Sequence, residues 1–344
     1  MDPGSLRDRA PLELGRGVLG LPDTALRRLF GEPPPDAAGL EPQAWGLARL
    51  SEFAAPAEAP SDQENRRVNE IRCAVFGRRP ETPVAADDVD AGGVPARLYV
   101  PPAAAGPGPL LVFFHGGGWI QGSVRSHDSG CRWVADRAGV RVLSVDYRLA
   151  PEHVFPAAFD DAVAAYRAVA EEPERFGADR LAVGGDSAGG NLAAALCLHA
   201  RDAGLPAPAF QWLLYPATDA PDRHVSYSTF AEGFYLGAER MRYLFRRYVP
   251  DPALHQDPRV APLAAAELGA LPPGFVATCL ADPLRDEGEA YARRLRAAGA
   301  EVELQREPLL HGYLNTTALR SGRAGALRAA DALRRGLARS AARS

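Results

Sequence analysis

The sequence predicts an α/β fold, a mostly parallel, doubly wound sheet covered by helices. Three observations carry that prediction. From about residue 82 onward, short apolar runs alternate with amphipathic helical stretches. Two of the apolar runs end in glycine-rich turns, His115-Gly116-Gly117-Gly118-Trp119 and Gly185-Asp186-Ser187-Ala188-Gly189. The chain has 344 residues, 47% of them apolar, which suffices for one sizeable core.

The elements follow in order. Ala96 to Val100 and Leu110 to Phe114 read as strands, and Ser126 is placed to cap a helix running to Gly139. Arg141 to Tyr147 is the next strand. Asp160 to Glu172 is helical, with Ala162, Tyr166 and Val169 on one face. Leu181 to Gly184 forms a strand leading into Ser187, and Asn191 to Leu196 starts a helix. Phe210 to Tyr215, Phe275 to Leu280 and Val302 to Arg306 supply three more strands. Asp286 to Ala298 and Ala324 to Arg339 are helices, the latter with Ala326, Ala330, Leu333 and Leu337 on a packing face and its arginines in solvent. Residues 219–262 interrupt the alternation with an aromatic-rich insert. Residues 1–80 differ: short helical patterns at Asp23 to Phe30, Pro42 to Phe53 and Ser61 to Phe76, the first two separated by Pro33-Pro34-Pro35, read as helices packed over a second unit that spans 81–344.

Composition removes several classes of function. Net charge is −4, which gives no electrostatic case for nucleic acid as a partner. All 39 basic residues are arginine, so a P-loop lysine, a lysine Schiff base and a kinase lysine are ruled out. The glycines at 116–118 do not fit a dinucleotide fingerprint. Cys73, Cys131, Cys197 and Cys279 are scattered and have no metal-type spacing, so they read as buried free thiols and no metal or cofactor is expected. The N-terminus lacks a signal-peptide layout and no stretch is apolar enough to span a bilayer, which predicts a cytoplasmic protein without stable membrane association.

What remains points to nucleophilic chemistry. Strand, Gly-x-Ser-x-Gly, helix is the setting in which a serine hydroxyl is pushed out of a sharp turn. A serine needs a base to take its proton and a carboxylate to orient that base. Asp282 follows the Phe275–Leu280 strand and His311 follows the last strand, the chain order Ser, acid, His. Asp286 competes with Asp282 for the acid role. Among the other histidines, His115 reads as a turn-stabilising residue beside the glycine loop. All three candidates lie at carboxyl ends of strands, the edge where open α/β sheets bind ligands.

The chain resembles the hormone-sensitive-lipase family of α/β-hydrolases, the bacterial family IV esterases. The carrying motifs are His115 to Trp119, Asp146-Tyr147-Arg148-Leu149-Ala150-Pro151-Glu152, Gly185 to Asn191, Asp282 to Asp286, and His311-Gly312-Tyr313. The resemblance implies an α/β-hydrolase fold with an eight-stranded sheet, Ser187 as nucleophile, His311 as base and Asp282 as acid, and an oxyanion hole made by the N–H groups of Gly116, Gly117 and Ala188. It implies that residues 1–80 with part of 219–262 cap the pocket, and that the partner is a small ester with a short to medium acyl chain. Many members are homodimers. The family has Phe where this chain has Tyr313, which is expected to narrow or polarise the pocket. The same residues serve an acyltransferase, a lactonase or a cyclising enzyme; a non-catalytic ligand-binding relative is disfavoured because His311 is retained.

Overall fold

The computed structural model describes residues 6–53 and 61–341. Four helices come first: α1 (Leu6–Leu19), α2 (Asp23–Phe30), α3 (Pro42–Phe53) and α4 (Asp62–Phe76). Three match the sequence reading. The fourth, α1, was not anticipated, since Pro11 lies inside it and its apolar residues form no clear stripe. Then follow β1 (Ala85–Ala91), β2 (Val94–Val100), β3 (Gly108–Phe114), α5 (Asp128–Ala138), β4 (Arg141–Val145), α6 (Ala157–Glu171), β5 (Ala178–Asp186), α7 (Ala188–Asp202) and β6 (Phe210–Leu214). The insert carries α8 (Ser226–Thr229) and α9 (Ala238–Tyr248). The chain closes with β7 (Gly274–Ala281), α10 (Arg285–Ala297), β8 (Val302–Leu310) and α11 (Arg320–Ala341).

The strands form one eight-stranded sheet in the order β1-β2-β4-β3-β5-β6-β7-β8. β1 to β2 and β2 to β4 are antiparallel; every later pairing is parallel. This is the α/β-hydrolase fold. Period-two alternation divides the core into two faces. Leu110, Val112 and Phe114 of β3 join Val183, Leu213 and Val276 against α6, α7 and α10. Leu111 and Phe113 join Ala182, Trp212, Phe275 and Ala277 against α5 and α11. Leu19, Leu40, Ala48 and Ile71 belong to that second cluster, so the N-terminal helices share the sheet's core. Among the described residues, no helix is long and apolar enough to cross a membrane.

Ser126 does not cap α5: His127 occupies the N-cap position, and the Ser126 hydroxyl instead donates to the carbonyl of Ser123. The four cysteines are free and buried.

Candidate active site

The site is assembled at the carboxyl ends of β3, β5, β7 and β8. β5 delivers Ser187 into α7 through a turn in which Ser187 itself takes φ 55°, a strained conformation for a residue with a side chain. The turn is tight because both flanking glycines touch backbone. A Cβ on Gly189 would lie 1.9 Å from the Phe114 carbonyl oxygen, and one on Gly185 would lie 2.4 Å from the carbonyl carbon of Gly189. The sequence pattern is therefore a packing requirement.

His311 and Asp282 meet this serine as the chain order suggests. The Ser187 hydroxyl and His311 Nε2 are 2.8 Å apart. His311 Nδ1 is 2.7 Å from Asp282 Oδ2, and Asp282 Oδ1 accepts the N–H of Leu284 at 2.9 Å. Asp282 is fully buried, and the Tyr215 ring lies 4.8 Å from the His311 ring, limiting its swing. Asp286 is elsewhere: its carboxylate accepts the N–H of Ser226 and pairs with Arg285.

The glycine loop departs from expectation at one position. The Gly116 N–H donates to Asp186 Oδ1 at 2.8 Å, so Gly116 is not free to meet a ligand oxygen, and its place in the expected oxyanion hole is not supported. Gly117 and Gly118, with φ 125° and 62°, turn the loop back. Their N–H groups and that of Ala188, the first residue of α7, find no acceptor among the described residues. The reason for the shift is Asp186, which sequence reading passed over. Besides Gly116, it pairs with His127 at 3.2 Å and lies 3.4 Å from the Tyr215 hydroxyl. His127 and the Gly116 N–H outweigh burial and hold its carboxyl below the usual range.

His115 stabilises the loop as expected. Its Nδ1 sits 2.9 Å from the Gly116 carbonyl, its ring stacks on Tyr147 at 4.2 Å, and the Tyr147 hydroxyl donates to the His115 carbonyl at 2.6 Å. Burial, aided by His127, pushes the His115 imidazole down to about 3, so it is neutral. Tyr313 packs edge-on against Tyr215 in the core, 5.0 Å away, and is not among the residues lining the cavity beside Ser187; the expected effect on the pocket is not seen.

That cavity measures about 440 Å³. Ser187, His311 and the glycine loop form its floor. Its walls come from Leu47 of α3, from α4, and from Leu236, Met241 and Leu244 of the insert. Among the described residues, no group of three or more His, Cys, Asp or Glu side chains is placed to hold a metal ion.

Comparison with known proteins agrees with this fold. The α/β hydrolase fold family model matches residues 111–315. The carboxylic ester hydrolase LipN of Mycobacterium tuberculosis is 48% identical over 243 residues, covering 68% of this chain and 64% of LipN, under two thirds of that protein's length. The ethyl acetate hydrolase of Pseudomonas putida is 39% identical over 259 residues, covering 72% of this chain and 81% of its own. Among solved structures, an ester hydrolase from the Lake Arreo metagenome, complexed with a derivative of bipyridine phosphonate, superimposes with a TM-score of 0.81 at 39% identity, covering 86% of this chain and 98% of that one. A thermostable esterase from Pseudomonas putida does so with a TM-score of 0.82 at 33% identity, over 89% and 99%. The chain belongs to the α/β-hydrolases and, within them, to the hormone-sensitive-lipase-like carboxylesterases of bacterial family IV.

Proposed function

We propose that the protein is a serine carboxylesterase that cleaves esters of short to medium acyl chain through an acyl-enzyme. The observation that carries this reading is the continuous relay from the Ser187 hydroxyl through His311 to buried Asp282. Ser187 Oγ attacks the ester carbonyl while His311 Nε2 takes its proton. Asp282 fixes the ring with Nδ1 protonated and stabilises the imidazolium. The negative oxygen of the tetrahedral intermediate is met by the N–H groups of Gly117, Gly118 and Ala188; the loss of one such donor elsewhere costs about 3–4 kcal/mol. His311 returns its proton to the departing alcohol, and water, deprotonated by the same ring, releases the acid. No metal or cofactor takes part in these steps.

The walls from α3, α4 and α9 support reading residues 1–80, with part of 219–262, as a cap over residues 81–344. The enclosed volume and the similarity to an ethyl acetate hydrolase support a small ester.

Ser187→Ala is expected to lower kcat on p-nitrophenyl butyrate by about a thousandfold or more with an unchanged circular-dichroism spectrum, and a fluorophosphonate probe is expected to label only the wild type. Undiminished turnover in the variant would remove Ser187 from the reaction. Across p-nitrophenyl esters from acetate to laurate, kcat/KM is expected to peak at or below octanoate; a maximum at laurate overturns the chain-length reading.

A further inference from the structure

Ester cleavage by Ser187 takes its charge stabilisation from backbone N–H groups and needs no cationic side chain, yet two arginines line its cavity: Arg72 of α4 and Arg240 of α9. Each guanidinium offers five N–H donors. Arg72 makes one hydrogen bond, to Asn69 Oδ1 at 2.7 Å, and lies over the Tyr235 ring. Arg240 makes one long contact, 3.4 Å to Gln121 Oε1, and lies over the Tyr243 ring. Neither reaches a carboxylate among the described residues. Their neighbours do: Arg66 pairs with Glu152, Arg242 with Asp222, and Arg247 with Asp62. The nearby acids have other partners: Asp62 has Tyr243 and Arg247, Glu70 has the Ser123 hydroxyl, and Asp186, which also lines the cavity, has the Gly116 N–H and His127.

The two cations flank the reacting centre. Tyr235, which carries Arg72, adjoins Gly312, whose Cβ would stand 3.7 Å from that ring, beside His311. Gln121, which Arg240 touches, presses its carbonyl on Gly117, where a Cβ would lie 2.1 Å from it. One charge thus sits towards the base and the other towards the oxyanion loop. Both are partly buried. Holding two like charges, short of acceptors, at the wall of a confined cavity is costly unless something of opposite sign enters. A guanidinium is suited to a carboxylate, which it can grip with two parallel hydrogen bonds.

We propose that the preferred substrate is an anionic ester, one whose acyl or alcohol arm ends in a carboxylate that Arg72 and Arg240 clamp while the scissile carbonyl meets Ser187. This rests on the assignment of Ser187 as nucleophile and names the substrate class of that site.

Two matched ester pairs test it and separate the two arms: monoethyl adipate against ethyl hexanoate, and 6-acetoxyhexanoate against hexyl acetate, followed by acid release. In one pair the wild type is expected to favour the anion in kcat/KM by about tenfold or more, an advantage that falls as salt is added. Arg72→Gln and Arg240→Gln are each expected to lower that anion-to-neutral ratio by about tenfold, and Arg240→Lys by less. Damage to the fold lowers both members of a pair and leaves the ratio unmoved. A wild-type ratio at or below one in both pairs, or a ratio that both variants leave unchanged, overturns the proposal. Calorimetry keeps it separate from catalysis. Monoethyl adipate is expected to bind Ser187→Ala about tenfold more tightly than it binds the Ser187→Ala, Arg72→Gln double variant; equal affinities also overturn the clamp. Failure to hydrolyse any of the four esters, with Ser187 unlabelled, overturns the nucleophile assignment instead.

Discussion

Ser187 sits where it does because Gly185 and Gly189, two residues to either side, press against backbone where a side chain would stand. Gly189 is the sharpest case: the Phe114 carbonyl occupies the position of its missing side chain. Gly189→Ala is expected to destabilise the protein by about 1–3 kcal/mol or more in urea unfolding and to lower activity with it; a variant as stable as wild type would show that the loop relaxes freely. Asp186 borders the cavity but is engaged by the backbone of Gly116 and by His127, so its effect is one of position. Asp186→Asn keeps the shape but loses the charge that anchors the loop. It is expected to lower kcat about tenfold to a hundredfold while KM changes little, since the oxyanion donors act mainly in the transition state. A rise in KM at constant kcat would contradict that positioning role. These residues divide what a sequence can reveal at this scale. Ser187, Asp282 and His311, which the structure links by hydrogen bonds, announce themselves because each follows a strand and few side-chain types suit a proton relay. The use of the Gly116 N–H is invisible in the motif, because three successive glycines look alike until one carboxylate claims the first of them. Arg72 and Arg240 are equally hidden among 39 arginines, since what marks them is that no described carboxylate lies within ion-pair reach of either.

Elements were legible where burial imposes a period. The strands of the central sheet read as unbroken apolar runs because both of their faces are covered, and three of the N-terminal helices were placed within a residue of their ends. β1 was missed for the opposite reason. Its sequence, Ala85-Ala86-Asp87-Asp88-Val89-Asp90-Ala91, is acidic, and the strand lies largely exposed at the sheet's edge. Charges on an edge strand discourage pairing with another molecule and erase the apolar signal at the same time. The insert was legible only as aromatic-rich, because its longer helix, α9, takes its orientation from the cavity it walls. α9 presents Met241 and Leu244 to that cavity, and Met241 is buried. Met241→Ala is expected to move the acyl-chain optimum upward by about two carbons in the p-nitrophenyl series, because the space released takes up methylene groups. An unchanged optimum would place the acyl chain against a different wall.

For the molecule as a whole, the network of buried ionisable groups beneath the site sets its response to acid. His115 is fully buried, and its folded value of about 3 lies below the value near 6.5 expected for an unfolded chain. Between those limits the unfolded chain binds the extra proton, so this contribution is intact above about pH 6.5 and is lost as pH falls, by up to about 1.4 kcal/mol per unit. Asp186, held low, adds its own loss below about pH 4. Urea midpoints measured at pH 7 and pH 5 are therefore expected to show a less stable protein at pH 5, and His115→Asn to narrow that difference. A wild type equally stable at both would contradict a neutral buried His115.

The hydrogen bond from Gly116 to Asp186 has a further consequence. The residue that holds the first glycine of the loop is also the residue immediately before Ser187, so the Ser187 hydroxyl and the free N–H groups of the glycine loop hang from a single point at the tip of β5. Side chains that wall the cavity from α3, α4 and α9 can change without altering the spacing between the Ser187 hydroxyl and those N–H groups. Selectivity can thus drift through the walls, by exchanges at positions such as Arg72, Arg240 or Met241, while the spacing at the floor stays set by one carboxylate tied to a backbone N–H and a histidine.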